Sequence, residues 1–101
     1  MKDLIANLNK AFDNKVRLGI MAALMANPEM DFTALKTLLD VTDGNLASHL
    51  KALEKEDYVK VTKQFIGRKP NTKYEATKLG RKAFQEHINA LEKLISGTGG
   101  G

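Results

Sequence analysis

The chain has 101 residues, enough for one compact domain with a modest core, and it lacks cysteine, which excludes disulfides and thiolate sites. Hydrophobic residues make up 43% of the chain, yet no stretch approaches the roughly 20 consecutive apolar residues of a transmembrane helix, and the first residues lack the pattern of a secretory signal. These features predict a cytoplasmic protein without a membrane segment, with one domain over residues 1–95 and a flexible glycine-rich tail over residues 96–101.

The net charge of +4 is unevenly distributed. Residues 60–82 contain eight Lys or Arg residues and one Glu, a local net charge of +7, whereas the rest of the chain is slightly acidic. Such clustering is typical of a surface that meets a polyanion, although a solvated lysine-rich face has the same composition.

Apolar residues recur at helical spacing over most of residues 3–27, which predicts a helix with a break near Asp13-Asn14. Pro28 ends it, because a proline disfavours helical geometry in the residue before it. A short strand or an extended segment at residues 30–32 is expected next, followed by a second helix that Thr33 caps.

Residues 40–42 have the composition of a tight turn and lead into a third helix over residues 43–57, which Thr42 or Asp43 caps. Two helices joined by a tight turn, the second longer than the first, are typical of a helix-turn-helix.

After the third helix the apolar period changes from helical to alternating, which predicts strands at about residues 59–66 and 72–76. Residues 67–71 have the composition of the turn between them. Thr77 then caps a last helix that runs to about residue 95. This order of elements predicts an α+β, mostly α, fold: a winged helix-turn-helix, in which the hairpin is the wing.

The third helix has an apolar face with three leucines and a slim face opposite it. At 100° per residue, Gly44, Ser48 and Lys51 lie on the slim face, with Asn45 beside them. The major groove of B-DNA is about 12 Å wide, so a helix lying in it needs small or hydrogen-bonding side chains toward the bases. Packing against a neighbouring helix would also favour a slim face, but the basic hairpin that follows favours DNA.

The predicted hairpin supplies the cations beside this helix. We expect phosphate and minor-groove contacts from Lys63, Arg68, Lys69, Asn71 and Lys73. RNA and single-stranded nucleic acid fit less well, because the nearby aromatic residues that would stack on bases are assigned to the core: Tyr58, Phe65 and Tyr74.

The segment VTDGNLASHLKALEKEDYVKVTKQFIGRKPNTKYEATKLGRKAF, residues 41–84, resembles the small winged-helix transcriptional regulators of the MarR/ArsR type, and the similarity extends over about residues 4–92. The resemblance implies a homodimer that reads two half-sites of duplex DNA. It makes the third helix the recognition helix and places base and phosphate contacts at this helix and at the wing. These residues are Thr42, Gly44, Asn45, Ser48, His49, Lys51, Arg68 and Lys69.

The chain departs from the ArsR-type metal sensors, because it lacks their cysteine and histidine ligands. No metal and no other cofactor is therefore expected. MarR-type proteins often hold an aromatic ligand in a dimer cleft, but the residues here show no obvious polar pocket. Binding of a small-molecule effector stays open.

Apolar stripes on the first and last helices predict a dimer interface, because the core of a small domain can scarcely cover both. The predicted interface residues are Leu4, Leu8, Phe12, Phe84, Ile88, Leu91 and Ile95. The alternative is that the two helices cover each other within one chain.

An enzyme is not expected, since the sequence has no Ser/His/Asp arrangement, phosphate-binding glycine loop or metal-ligand spacing. A winged helix can also act as a protein–protein interaction module without binding DNA. The charge of +7 over residues 60–82 favours DNA, because a protein partner does not generally require it. The sequence therefore predicts sequence-specific binding of double-stranded DNA by a dimeric transcriptional regulator.

Overall fold

The computed structural model describes residues 5–98. Within these residues the elements are, in chain order, a 3₁₀ turn at Lys10–Phe12, α1 at Lys15–Ala26, β1 at Met30–Asp31, α2 at Phe32–Leu39, α3 at Asp43–Lys55, β2 at Val59–Ile66, β3 at Lys69–Ala76 and α4 at Lys78–Thr98. This order confirms the predicted winged helix-turn-helix. No helix over residues 5–98 is both long enough and apolar enough to cross a bilayer.

Two asparagine caps produce the predicted break in the first helical segment. The side chain of Asn9 accepts a hydrogen bond from the N–H of Ala11 at 2.9 Å and begins the 3₁₀ turn. Asn14 Oδ1 accepts from the N–H groups of Val16 and Arg17 at 2.9 and 3.1 Å and begins α1. Each cap satisfies N–H groups that have no partner within a helix, so α1 starts at Lys15.

The core is built around α1, which packs against α2, α3, α4 and β3. The largest side chains with less than 2% exposure come from the three helices α1, α2 and α3: Ile20, Met21, Leu24, Leu35, Leu46, Leu50 and Leu53. Their burial fixes the angle of the helix-turn-helix against α1 and decides which face of α3 meets solvent.

Asp31, and not Thr33, caps α2, because the helix begins at Phe32 and the Asp31 carboxylate accepts a hydrogen bond at 2.7 Å from the N–H three residues on. Thr42 caps α3 through its hydroxyl, which accepts from the N–H of Asn45 at 3.2 Å. The turn between these helices is closed by Asp40 in a left-handed conformation, φ 52°, which aspartate tolerates better than most residues.

The sheet is antiparallel with strand order β1-β3-β2. β2 and β3 pair without a bulge from Val59–Ala76 to Ile66–Lys69, so the turn of the wing is only Gly67-Arg68. β3 therefore begins three residues before the predicted position 72. Gly67 has φ +64°, the conformation that a two-residue hairpin turn demands of its first residue.

Thr77 begins α4 as predicted. Its Oγ1 accepts a hydrogen bond from the N–H of Gly80 at 2.8 Å, and the hydroxyl donates to the carbonyl of Asp57 at 2.6 Å. The helix continues to Thr98, so the predicted tail is helical over residues 96–98, while residues 99–101 lie outside the described part of the chain.

Phe12 and Phe84 lie in the core of a single chain, where they are 3% and 7% exposed. Their rings meet edge to face, with centroids 5.4 Å apart. This corrects the expectation that both rings contribute to a dimer interface, because they leave almost no area for a partner to contact. At these two positions the N-terminal segment and α4 cover each other.

His87 on α4 is buried, at 6% exposure, and joins three parts of the fold. Its Nδ1 accepts a hydrogen bond from the backbone N–H of Asn9 at 2.9 Å, and the Asn9 amide donates to the hydroxyl of Tyr58 at 3.0 Å. Because Nδ1 is an acceptor, the proton of the neutral ring is on Nε2. Burial lowers the pKa of His87 below its usual 6.5, although the negative charge of Asp13 acts in the opposite direction.

Gly80→Ala is expected to destabilise the protein by more than about 2 kcal/mol, as overpacking of a close contact does. An added Cβ at this position would lie 2.1 Å from the carbonyl oxygen of Tyr58, so backbone must move. Gly44→Ala is the matched control, since nothing lies within 4 Å of its added Cβ, and it should stabilise α3 by about 0.5–1 kcal/mol. Urea unfolding measures both, and a Gly80→Ala midpoint equal to that of the wild type would contradict the contact.

His87→Gln is expected to reduce the pH dependence of stability. The unfolded chain binds more protons than the native one between the lowered native pKa of His87 and 6.5, so the stability that neutral His87 contributes is complete above pH 6.5 and falls below it. Thermal unfolding at about pH 7.5 and about pH 5 should show a smaller fall in Tm for the variant than for the wild type. Equal falls would show that His87 does not carry this dependence.

Candidate nucleic-acid interface

α3 turns its leucines into the core and its slim face into solvent. Gly44, Asn45, Ser48 and Lys51 are exposed, as the helical wheel predicts, and His49 is half-buried at the edge of the apolar stripe. These five residues therefore line one accessible side of a helix whose other side is held rigidly by the core.

At the N-terminal end of α3, the slim face does not pack against another part of the described chain. A Cβ built on Gly44 meets no atom within 4 Å. Ser48 and Lys51 follow one and two turns later on the same side and are exposed as well. Internal packing, the alternative reason for a slim face, therefore does not account for it, and the helix presents this side to a partner or to water.

Opposite charges meet at the N-terminus of α3. Asp43 in the first turn forms a salt bridge of 2.7 Å with Lys36 of α2; the Asp43 side chain is largely exposed and the Lys36 side chain partly so. Asp43 also complements the positive end of the helix dipole. The carboxylate that would otherwise repel a phosphate near Thr42 is thus partly neutralised.

Lys15 is a candidate contact that the sequence interpretation did not include. It lines, with Thr42, Asn45 and the acid Asp40, a cleft of about 470 Å³ where the first turns of α1 and α3 meet the end of α2. A cation next to the exposed N–H end of a helix is suited to binding a phosphate. Its position after the Asn14 cap is visible in the sequence, but its closeness to α3 depends on the packing of α1.

The wing residues divide into two groups. Lys63, Arg68 and Lys69 are exposed along the hairpin. Lys73 is half-buried and forms a salt bridge with Glu29 at 2.9 Å, which ties β3 to the segment before β1. Asn71 is half-buried, and its Oδ1 has no hydrogen-bond partner within the described chain. The two groups differ in how freely their side chains can reach a ligand.

Phe65 is 74% exposed, which corrects the expectation that it belongs to the core with Tyr58 and Tyr74. The wing extends beyond the helices that cover the base of the sheet. The alternating pattern therefore still places an apolar residue on the core-facing side of the sheet beyond the point where the core ends.

Lys10, Arg17 and Lys55 form a second basic group that the sequence interpretation did not include. They surround a hollow of about 420 Å³ beside Ala52, together with two acids, Asp13 and Glu56. Arg17 Nε is buried without a hydrogen-bond partner in the described structure. The acids make this group less suited to phosphates than the wing.

Metal binding finds no support in the described residues, which contain no cluster of three or more His, Cys, Asp or Glu side chains able to hold an ion. The candidate interface consists instead of the slim face of α3, the N-terminal cleft beside Lys15 and the exposed cations of the wing. These elements can offer hydrogen bonds to base edges and positive charge to phosphates.

Comparison with known proteins identifies the same architecture. Residues 16–95 match the sequence profile described as "Winged helix DNA-binding domain". The chain belongs to this family. The matched region begins in α1 and ends in α4, so it contains the helix-turn-helix and the whole wing.

Two relatives resemble the chain over most of its length. The uncharacterized protein MJ0432 of Methanocaldococcus jannaschii is 38% identical over 85 residues, which are 84% of this chain and 92% of the relative. A transcriptional regulator homologue from Pyrococcus horikoshii OT3 superimposes with a TM-score of 0.85 at 33% identity, covering 96% of this chain and 94% of the other. The transcriptional regulator BldR from Sulfolobus solfataricus shares the fold, with a TM-score of 0.71 and 19% identity over 96% and 69% of the two chains.

Proposed function

We propose that this protein regulates transcription in the cytoplasm by binding duplex DNA as a homodimer. The observation that carries the proposal is the exposed slim face of α3, which is unpacked at Gly44 and is followed in the chain by the exposed cations of the wing. The family and the similarity to a transcriptional regulator homologue support it.

In the proposed complex α3 lies in the major groove, because Gly44 allows its backbone to approach the base edges. Asn45 and Ser48 each donate and accept hydrogen bonds, and Lys51 donates to a guanine edge or a phosphate. These side chains supply sequence preference, since bases are read in the groove.

Phosphate contacts flank α3 on both sides in this proposal. Lys15 and the Thr42 end of α3 hold one backbone segment, and His49 approaches the same strand from the edge of the buried stripe. Lys63, Arg68 and Lys69 follow the backbone beside the wing, while Asn71 and Lys73 contribute less because they are half-buried and Lys73 is paired with Glu29. The cations give affinity on any sequence and make it salt-dependent.

The second copy is proposed to cover an apolar surface between the N-terminal segment and α4. Leu8, Ile88 and Leu91 are half-buried there, and Ile5 is 55% exposed. Ile5, Leu8 and Leu91 line a cavity of about 590 Å³. Ile95, at 71% exposure, belongs to the proposed interface, and Leu4 lies outside the described residues. A twofold axis would place two α3 helices about 34 Å apart, one helical turn of DNA.

Lys51→Glu is expected to weaken duplex binding by about ten- to a hundredfold, because it replaces a donor with a charge that phosphates repel. Lys51 is exposed, so the free energy of unfolding should change by no more than about 0.5 kcal/mol, the range of ordinary surface substitutions. Fluorescence anisotropy with a mixed-sequence duplex measures the first quantity and thermal unfolding the second.

The matched control for Lys51→Glu is Lys82→Glu, which makes the same charge change at an exposed position of α4. It should weaken binding much less, since it lies outside the proposed interface. Equal losses would show that overall charge, and not α3, determines the affinity. Failure of the wild type to bind duplex DNA at low salt would favour a protein-interaction module instead.

Leu91→Asp is expected to convert the dimer into a monomer that binds a two-half-site duplex more weakly, because a carboxylate would be buried in an apolar interface. Gln85→Glu introduces the same charge at an exposed position of α4 and should leave the dimer intact. Light scattering measures the oligomeric state and anisotropy the binding. A Leu91→Asp protein that remains dimeric would contradict the proposed interface.

A further inference from the structure

The tip of the wing carries two large apolar side chains in solvent. Phe65 is 74% exposed and Ile66 is 60% exposed. Pro70 lies directly opposite Phe65 across the strand pair. The end of an otherwise polar hairpin thus has exposed apolar surface on both faces, which makes no contribution to the core of the described chain.

The alternation of β2 decides which way the ring of Phe65 faces. Val59 is buried and Val61 half-buried, because these positions of β2 face the helices, and α3 packs against this strand. Phe65 is an even number of residues further along and therefore lies on the same side of the sheet. Its ring projects past the end of the core on the side where α3 lies, whereas Ile66 faces the opposite side.

The surroundings of Phe65 indicate the chemistry of its partner. Lys63, Arg68 and Lys69 are exposed on the same hairpin, and residues 60–74 contain no Asp or Glu. A purely apolar partner would leave these cations unpaired, but duplex DNA offers phosphates for them and apolar deoxyribose surfaces for the ring. Apolar side chains of other DNA-binding proteins enter the minor groove, where they insert between base steps.

We propose that Phe65 is a minor-groove contact of the wing, with its ring packed against the deoxyribose walls of the groove next to the one that α3 occupies. This inference rests on the proposed function and adds to it a contact of a different physical kind. The cations at the tip hold phosphates through charge, and Phe65 excludes water from an apolar surface between them.

The two kinds of contact respond differently to salt, which makes them separable. Phe65→Ala should weaken binding to a mixed-sequence duplex by about tenfold at every salt concentration. An apolar contact neutralises no phosphate, so its loss does not change the number of counterions that are released on binding. Replacing Arg68 and Lys69 together by Ala should lower the slope of log K against log salt by about 0.9 for each lost phosphate contact, which is up to about 1.8 for each protomer and up to about 3.6 for the proposed dimer. Anisotropy titrations across a salt series measure both.

Ile66→Ala is the matched control, since it removes an equally exposed apolar side chain from the opposite face. It should bind within about twofold of the wild type, well below the tenfold loss that corresponds to about 1.4 kcal/mol. Netropsin, a ligand that fills the minor groove of A·T tracts, tests whether the contact of Phe65 lies in the minor groove. It should weaken wild-type binding more than it weakens binding by Phe65→Ala.

Several results would overturn the inference. Wild-type affinity in Phe65→Ala, equal losses in Phe65→Ala and Ile66→Ala, or a changed salt slope in Phe65→Ala would each exclude a face-specific apolar contact. A change in oligomeric state of Phe65→Ala by light scattering would assign the ring to a protein interface. Absence of duplex binding by the wild type at low salt would instead remove the proposed function, and this inference with it.

Discussion

The burial of one leucine stripe determines how the rest of the molecule can act. Leu46, Leu50 and Leu53 of α3 have at most 1% exposure, and they lock this helix against α1 and the base of β2. Because helical residues four apart share a face, fixing three leucines inside also fixes Gly44, Ser48 and Lys51 outside. Loss of this anchor would free α3 to rotate, and the slim face would no longer present one set of side chains to a groove.

The same reasoning explains why much of the fold could be predicted. Helical spacing, asparagine and threonine caps and a change of period after Tyr58 are local features that the sequence displays directly. Where two local sequence signals favoured different residues, the tertiary structure decided which residue is used, and a local sequence pattern does not contain that information. Thr33 and Asp31 are both good caps, and Asp31 is used because the chain leaves the pairing of β1 with β3 at that residue.

Tertiary context decided the positions that were misassigned. Phe12 and Phe84 lie on apolar stripes, but spacing does not tell whether a ring is covered by its own chain or by a second copy, because both remove the same area from water. Phe65 shows the reverse case. Its alternation with Val59 and Val61 is genuine, yet the wing is longer than the helices that cover the sheet, so the pattern continues where no core exists.

The positive charge of residues 60–82 is less concentrated in the fold than in the sequence. Lys73 forms a salt bridge with Glu29, and Lys60 Nζ lies 3.8 Å from Glu75 Oε1. Three further cations lie in the first turns of α4, away from the hairpin tip. Lys15, from a segment of the chain with no charge excess, joins α3 instead. Since only cations near phosphates release counterions, net charge over a stretch of sequence does not by itself determine the salt dependence of binding. The spatial division of the cations among wing, α3 cleft and α4 determines how many of them one duplex can meet.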